Sequence, residues 1–190
     1  FHARMEEEQG GFDLDDVADG ICKKLIYRHP HVFGDVTVSG SGEVLQNWEE
    51  LKKREKHQTT AADSVDSVAR SLPGLWRAEK IQKKAAKAGF DWPDVSGALE
   101  KLREEAGELE EAVREDTNVA EELGDLLFAA VNVARFVKVD PEDALSVACD
   151  KFARRFRQVE ASAAAQGKTL DEMTLAEMDR LWDEAKKQEA

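Results

Sequence analysis

From Pro73 onward, apolar residues return every three or four positions, which is the spacing of one helix face. Leu75, Ala78, Ile81, Gln82 and Ala85 space as a single helix that Gly89 closes. Leu102, Leu109 and Val113 recur along Asp94 to Glu115, and Leu123, Leu126, Leu127 and Val131 along a stretch from about Asn118 to Lys138. Asp140-Pro141-Glu142 starts a further helix, with an aspartate cap, proline at the first helical position and acid in the first turn. That helix should run to about Ala164, where Gly167 breaks it, and Thr174-Leu175-Ala176-Glu177 has capping-box form for a last one.

Before Pro73 the pattern is less regular. His29-Pro30-His31 ends a first helical stretch, because proline disfavours helix in the residue before it. Phe33 to Ser41, with Val36, Thr37, Val38 and two glycines, reads as a short extended or turn segment, too brief for a sheet. Asn47 to Lys56 reads as a short charged helix, and His57 to Ser71, rich in Thr, Ser, Ala and Asp, as the linker. With no βαβ alternation and no dinucleotide glycine fingerprint, the expected fold class is all-α, a four-helix-type bundle.

An internal repeat orders these segments. Asp16 to Arg28 lines up with Asp143 to Arg155, placing Cys22 on Cys149, Lys24 on Lys151 and Arg28 on Arg155. With a small loop offset, Ala3-Arg4 also matches Ala134-Arg135. The expected organisation is residues 1–38 as the back half of an N-terminal copy, 39–71 as a linker with a short helix, and 72–190 as a complete C-terminal domain. The acidic front half of the first copy is expected upstream of residue 1, which leaves that copy catalytically empty.

Composition narrows the function. The 190 residues carry a net charge of −13 and few aromatics, a mix that favours helix and argues against nucleic acid as the partner. No window approaches the roughly 18 apolar residues of a membrane span, and there is no secretory signal, so a cytoplasmic protein is expected. Cys22 and Cys149 suit small packed hydrophobes rather than a disulfide framework.

The candidate chemistry lies in a doubled acidic pattern, Glu104-Glu105-x-x-Glu108 and Glu121-Glu122-x-x-Asp125. Residues three apart share a helix face, so Glu105, Glu108, Glu122 and Asp125 converge if the two helices fold back on each other. Most acidic runs on helices are only a solvated face. Against that stand the repeat of the spacing, the apolar residues flanking it, and the glycine before the last acid of each motif. Gly107 and Gly124 each cost about 1 kcal/mol in a helix interior, which suggests that the helices, or a ligand, approach closely there. An all-carboxylate site suits Mg²⁺ or Mn²⁺. Di-iron sites of helix bundles need Glu-x-x-His pairs, and no histidine occurs from Gln58 onward. Mg²⁺ commonly meets substrate phosphates, and Lys151, Arg154, Arg155 and Arg157 offer cations, Lys151 and Arg155 on one face. Trp182, Trp92 and Phe90 could stack a base, although isolated aromatics on helices are more often core.

At these residues the chain resembles the MazG family of all-α nucleoside triphosphate pyrophosphohydrolases. The acidic pair of motifs is similar to that family's metal signature. Arg77-Ala78-Glu79-Lys80-Ile81-Gln82-Lys83-Lys84 with Gly89-Phe90-Asp91-Trp92 resembles its lead-in, and Lys151-Phe152-Ala153-Arg154-Arg155-Phe156 its phosphate-contacting helix. The resemblance implies Mg²⁺ at Glu105, Glu108, Glu122 and Asp125. It implies substrate contacts from Lys101, Glu104, Glu121, Lys151, Arg155 and Trp182, with Glu104 or Glu121 as general base. Some relatives have lysine where Asn118 stands, so a phosphate contact there is not carried over. The implied activity is hydrolysis of nucleoside triphosphates to monophosphate and pyrophosphate, with broad base choice, in a homodimer. A non-catalytic helical nucleotide-binding or dimerisation module, and a related all-α pyrophosphatase restricted to one nucleotide, are the competing expectations.

Overall fold

The computed structural model describes residues 1–55 and 58–188, so Lys56 and His57, at the junction of the expected short helix and linker, lie outside the described residues. Among the described residues the chain is helical throughout, with no strand. It divides into two compact units, Phe1–Ser67 and Val68–Ala190.

The first unit holds α1 (His2–Glu8), α2 (Leu14–Arg28), α3 (Pro30–Phe33), α4 (Ser41–Glu55) and α5 (Ala61–Asp66). Asp13 caps α2 with a reciprocal box to Asp16, as Asp140 caps the helix that the repeat makes equivalent. Arg28 ties α2 to α4, its guanidinium 2.7 Å from Glu55 Oε2 and stacked over Trp48. Two elements differ from expectation. The helix expected from Asn47 begins at Ser41, because Ser39 donates from its backbone N–H and its hydroxyl to Glu43 and fixes an earlier start. Inside the expected linker, Thr60 and Asp63 form a capping box that starts α5.

The second unit holds α6 (Gly74–Lys87), α7 (Val95–Glu115), α8 (Val119–Val137), α9 (Pro141–Ala165), a 3-10 turn at Leu170–Glu172 and α10 (Leu175–Gln188). The link Asp116-Thr117-Asn118 closes α7 and α8 into a hairpin, with Asp116 and Asn118 at φ +55° and +50°. Aspartate and asparagine tolerate that left-handed region better than other non-glycine residues. Ala98, Ala112, Ala129 and Val131 are buried on the two helices. α6 lies on α8, where the buried Gln82 donates from Nε2 to the Phe128 carbonyl at 2.7 Å. α9 and α10 close over Val159, Ala163, Met173 and Leu181, with Leu170, Met178 and Trp182 packed against them.

The cysteines correct the packing expectation, since Cys22 and Cys149 are both exposed. Each sits on a helix face that no neighbouring helix of its unit covers. No helix among the described residues is long and apolar enough to cross a membrane.

Candidate metal centre

α7 contributes Glu105 at mid-length and α8 contributes Glu122 and Asp125 from its first turns. Folding the hairpin brings one carboxylate oxygen of each within 4.8 Å of the others. Glu105 is the anchor, only 5% exposed, while Glu122 is half-buried and Asp125 exposed. Acidic residues in the first turn of α8 also complement its dipole.

Lys101, one turn before Glu105, places its ammonium 2.5 Å from Glu105 and 2.8 Å from Glu104. Those two carboxylates hold the lysine well above its ordinary value, Glu104 contributing most. Glu108 is exposed and lies outside the three-carboxylate group, but it shares a hydrogen bond with Glu105. Partial desolvation, followed by the Glu105 charge, pushes its carboxyl above the ordinary range. Glu121 is exposed, and Asn118 makes no side-chain cap at the start of α8. The donor set is oxygen only, anionic and convergent, so it fits a hard divalent cation.

The remaining expected contacts gather on α9 and α10. The Arg155 guanidinium lies over the Trp182 ring at 5.9 Å, Phe152 packs on Trp182 at 5.0 Å, and Lys151 is exposed one turn before Arg155. The chain thus holds two clusters, an acidic one on α7–α8 and a cationic aromatic one on α9–α10. The close helix approach expected at Gly107 and Gly124 is not made. A Cβ at Gly107 or Gly124 would meet nothing within 4 Å, so the chain's own helices do not approach closely there. Gly97 is the tight position, because a Cβ there would overlap the Trp92 ring, 2.6 Å from Cγ and 2.9 Å from Nε1. A fork that sequence reasoning missed holds the same loop: Arg135 donates to both oxygens of Asp91, at 2.8 and 2.6 Å. The two residues are 44 positions apart, and nothing in the local sequence pattern links them.

An all-α hairpin with a convergent carboxylate cluster beside a lysine is a frame suited to holding a divalent cation. A family model described as the MazG nucleotide pyrophosphohydrolase domain matches residues 1–33 and 94–160. The chain belongs to this family. It is 43% identical over 193 residues to the nucleoside triphosphate pyrophosphohydrolase of Escherichia coli (strain K12), covering 100% of this chain and 73% of that protein. It is 40% identical over 186 residues to the nucleoside triphosphate pyrophosphohydrolase/pyrophosphatase MazG of Thermotoga maritima, covering 98% and 71%. It is also 50% identical over 191 residues to the uncharacterized protein YabN of Bacillus subtilis (strain 168), covering 99% and 39%.

Proposed function

We propose that this chain hydrolyses nucleoside triphosphates to nucleoside monophosphate and pyrophosphate, with broad base choice, as a cytoplasmic homodimer that clears the nucleotide pool. The observation that carries the reading is the convergence of Glu105, Glu122 and Asp125 beside Lys101. Glu105, Glu122 and Asp125, joined by Glu108, would hold Mg²⁺, with Mn²⁺ as a substitute. Bound there, the ion would supply Lewis-acid polarisation of phosphate oxygens and acidify a water.

The chain's own residues divide the remaining work. Glu104 or Glu121 takes the proton of the attacking water as its oxygen bonds to the α-phosphorus. The bond from that phosphorus to the bridging oxygen breaks, and pyrophosphate leaves with the electron pair. Lys151 and Arg155 neutralise the leaving charge, and Trp182, against Arg155, shields that end from water. Lys101 neutralises Glu105 and Glu104 before substrate arrives, and would turn to the phosphate if a bound dication took over those carboxylates.

In this reading residues 1–38 are a copy of the α8–α9 half of the domain that lacks the Glu-Glu-x-x-Glu and Glu-Glu-x-x-Asp motifs. The family match over 1–33 and the equivalent caps Asp13 and Asp140 support it. A Mg²⁺-dependent turnover panel over the standard triphosphates, with products resolved, tests the activity. Monophosphate plus pyrophosphate from several bases is the expected result. Release of single phosphate rejects attack at the α-phosphorus, and absence of turnover on every triphosphate rejects the function.

A further inference from the structure

On α7, Gly97, Lys101, Glu104 and Glu108 fall at i, i+4, i+7 and i+11, a single stripe along one flank, with Glu105 at its buried edge. The acidic end of that stripe adjoins the candidate metal centre. Its other end is occupied by the Trp92 indole, which lies against the backbone at Gly97 so closely that no Cβ fits between them. From Gly97 to Glu105 the helix rises about 12 Å at 1.5 Å per residue, with Lys101 half-way, a span suited to a sugar and base extending from a phosphate held at the carboxylates.

The loop carrying Trp92 is fastened rather than loose. Arg135 forks onto Asp91, and its Nε and Nη2 also donate to Asn132 Oδ1 at 2.9 and 2.6 Å. Its guanidinium lies over Phe136, and its side chain is largely buried. The Trp92 backbone N–H donates to Asp91 Oδ1 at 2.9 Å, so the fork reaches the tryptophan directly. Asn132 is seven residues beyond Asp125 on α8, two turns along the helix that carries the acids. The pyrrole part of the indole lies against α7 at Gly97, yet Trp92 remains 39% exposed. A partly exposed aromatic ring held against a helix is a surface on which a nucleobase stacks, whatever its identity.

We propose that Trp92 is the nucleoside contact of this site, and that the Arg135–Asp91 fork is the positioning pair that keeps its ring on α7 at Gly97, in line with Lys101 and the carboxylates. The proposal rests on the nucleotide-hydrolysis reading above and assigns the base end of the substrate. Pyrophosphate, which has no base, must be indifferent to this end of the stripe.

The test compares the KM for a nucleoside triphosphate with inhibition by Mg²⁺-pyrophosphate in intact chains. Trp92→Ala should raise KM about tenfold, the loss of one stacked base, with kcat and pyrophosphate inhibition little changed. Trp92→Phe should recover most of the loss, because a ring remains. Arg135→Gln should raise KM similarly and Arg135→Lys less, since lysine keeps the charge without the fork. Gly97→Ala is the decisive variant: alanine is the better helix former but displaces the indole, so KM should rise in a protein no less helical. An unchanged KM in Trp92→Ala overturns the proposal while leaving the hydrolase reading intact. Equal weakening of pyrophosphate and triphosphate also overturns it, because the fork would then be general scaffolding. A wild-type chain that turns over no triphosphate sinks the underlying reading instead.

Discussion

Glu105, Glu122 and Asp125 bring carboxylate oxygens within 4.8 Å of one another, and two unit charges about 4 Å apart repel by roughly 4 kcal/mol at an effective dielectric near 20. Lys101 offsets part of this at Glu105, but Glu122 and Asp125 have no such cationic partner among the described residues. Glu122→Gln removes one charge at nearly constant volume. The metal-free variant should therefore melt a few degrees higher, a gain of about 1 kcal/mol, yet lose both turnover and the stabilisation that Mg²⁺ gives the wild type. Calorimetry with and without Mg²⁺ checks this; a lower melting temperature with an intact Mg²⁺ response would make Glu122 a surface residue. Glu108 adds a pH signature. Its carboxyl is raised above the ordinary 4.5 by desolvation and then by Glu105. Its contribution to stability is thus full below 4.5 and is lost as pH rises through the folded value. A dication competes with that proton, so the Mg²⁺-induced rise in melting temperature should grow over the same window.

The helices of the second unit were legible from caps and periodicity because the two signals coincide there: Asp94, Asp140 and Thr174 cap helices whose apolar stripes begin at once. The Thr174 box is the clearest case. Glu177 accepts from the Thr174 backbone N–H and hydroxyl at 2.8 and 2.9 Å, and Lys168 adds an ion pair at 2.8 Å. Together, with Lys168 first, they hold the Glu177 carboxyl down at about 2. That support of α10 is present above pH 4.5 and is lost as pH falls toward 2. Carbon-detected NMR should find a Glu177 midpoint near 2, moved upward in Thr174→Val, with faster amide exchange in the first turn of α10. In the first unit the caps sit in Thr- and Ser-rich sequence without a strong apolar stripe, so α5 reads as loop and α4 is read six residues short. The site divides in the same way. Its carboxylate spacing is local to each helix and was visible, whereas the Asp91–Arg135 fork depends on tertiary folding across 44 residues. Cys22 and Cys149 failed for another reason, because apolar residue type alone does not say whether a neighbour covers it.

At the scale of the molecule, large apolar side chains remain in water along the hairpin that carries the acids. Val113 on α7 is 61% exposed, and Leu123 and Leu127 on α8 are 46% and 49% exposed. Fully burying a leucine is worth about 1.5–3 kcal/mol, so covering this face would contribute on the scale of a domain's whole net stability, about 5–15 kcal/mol. The proposed homodimer supplies a cover: the same face of a second hairpin, self-complementary about a two-fold axis. Two chains of net charge −13 also repel, so association should tighten with salt and with Mg²⁺. Sedimentation velocity should give a dimer for the wild type and a monomer for Leu123→Glu/Leu127→Glu, with turnover falling in parallel. Neither leucine is a proposed metal ligand, and circular dichroism separates dissociation from unfolding. A double variant that stays dimeric would put the interface on another face, and a folded monomer with full turnover would show that one chain completes the site alone.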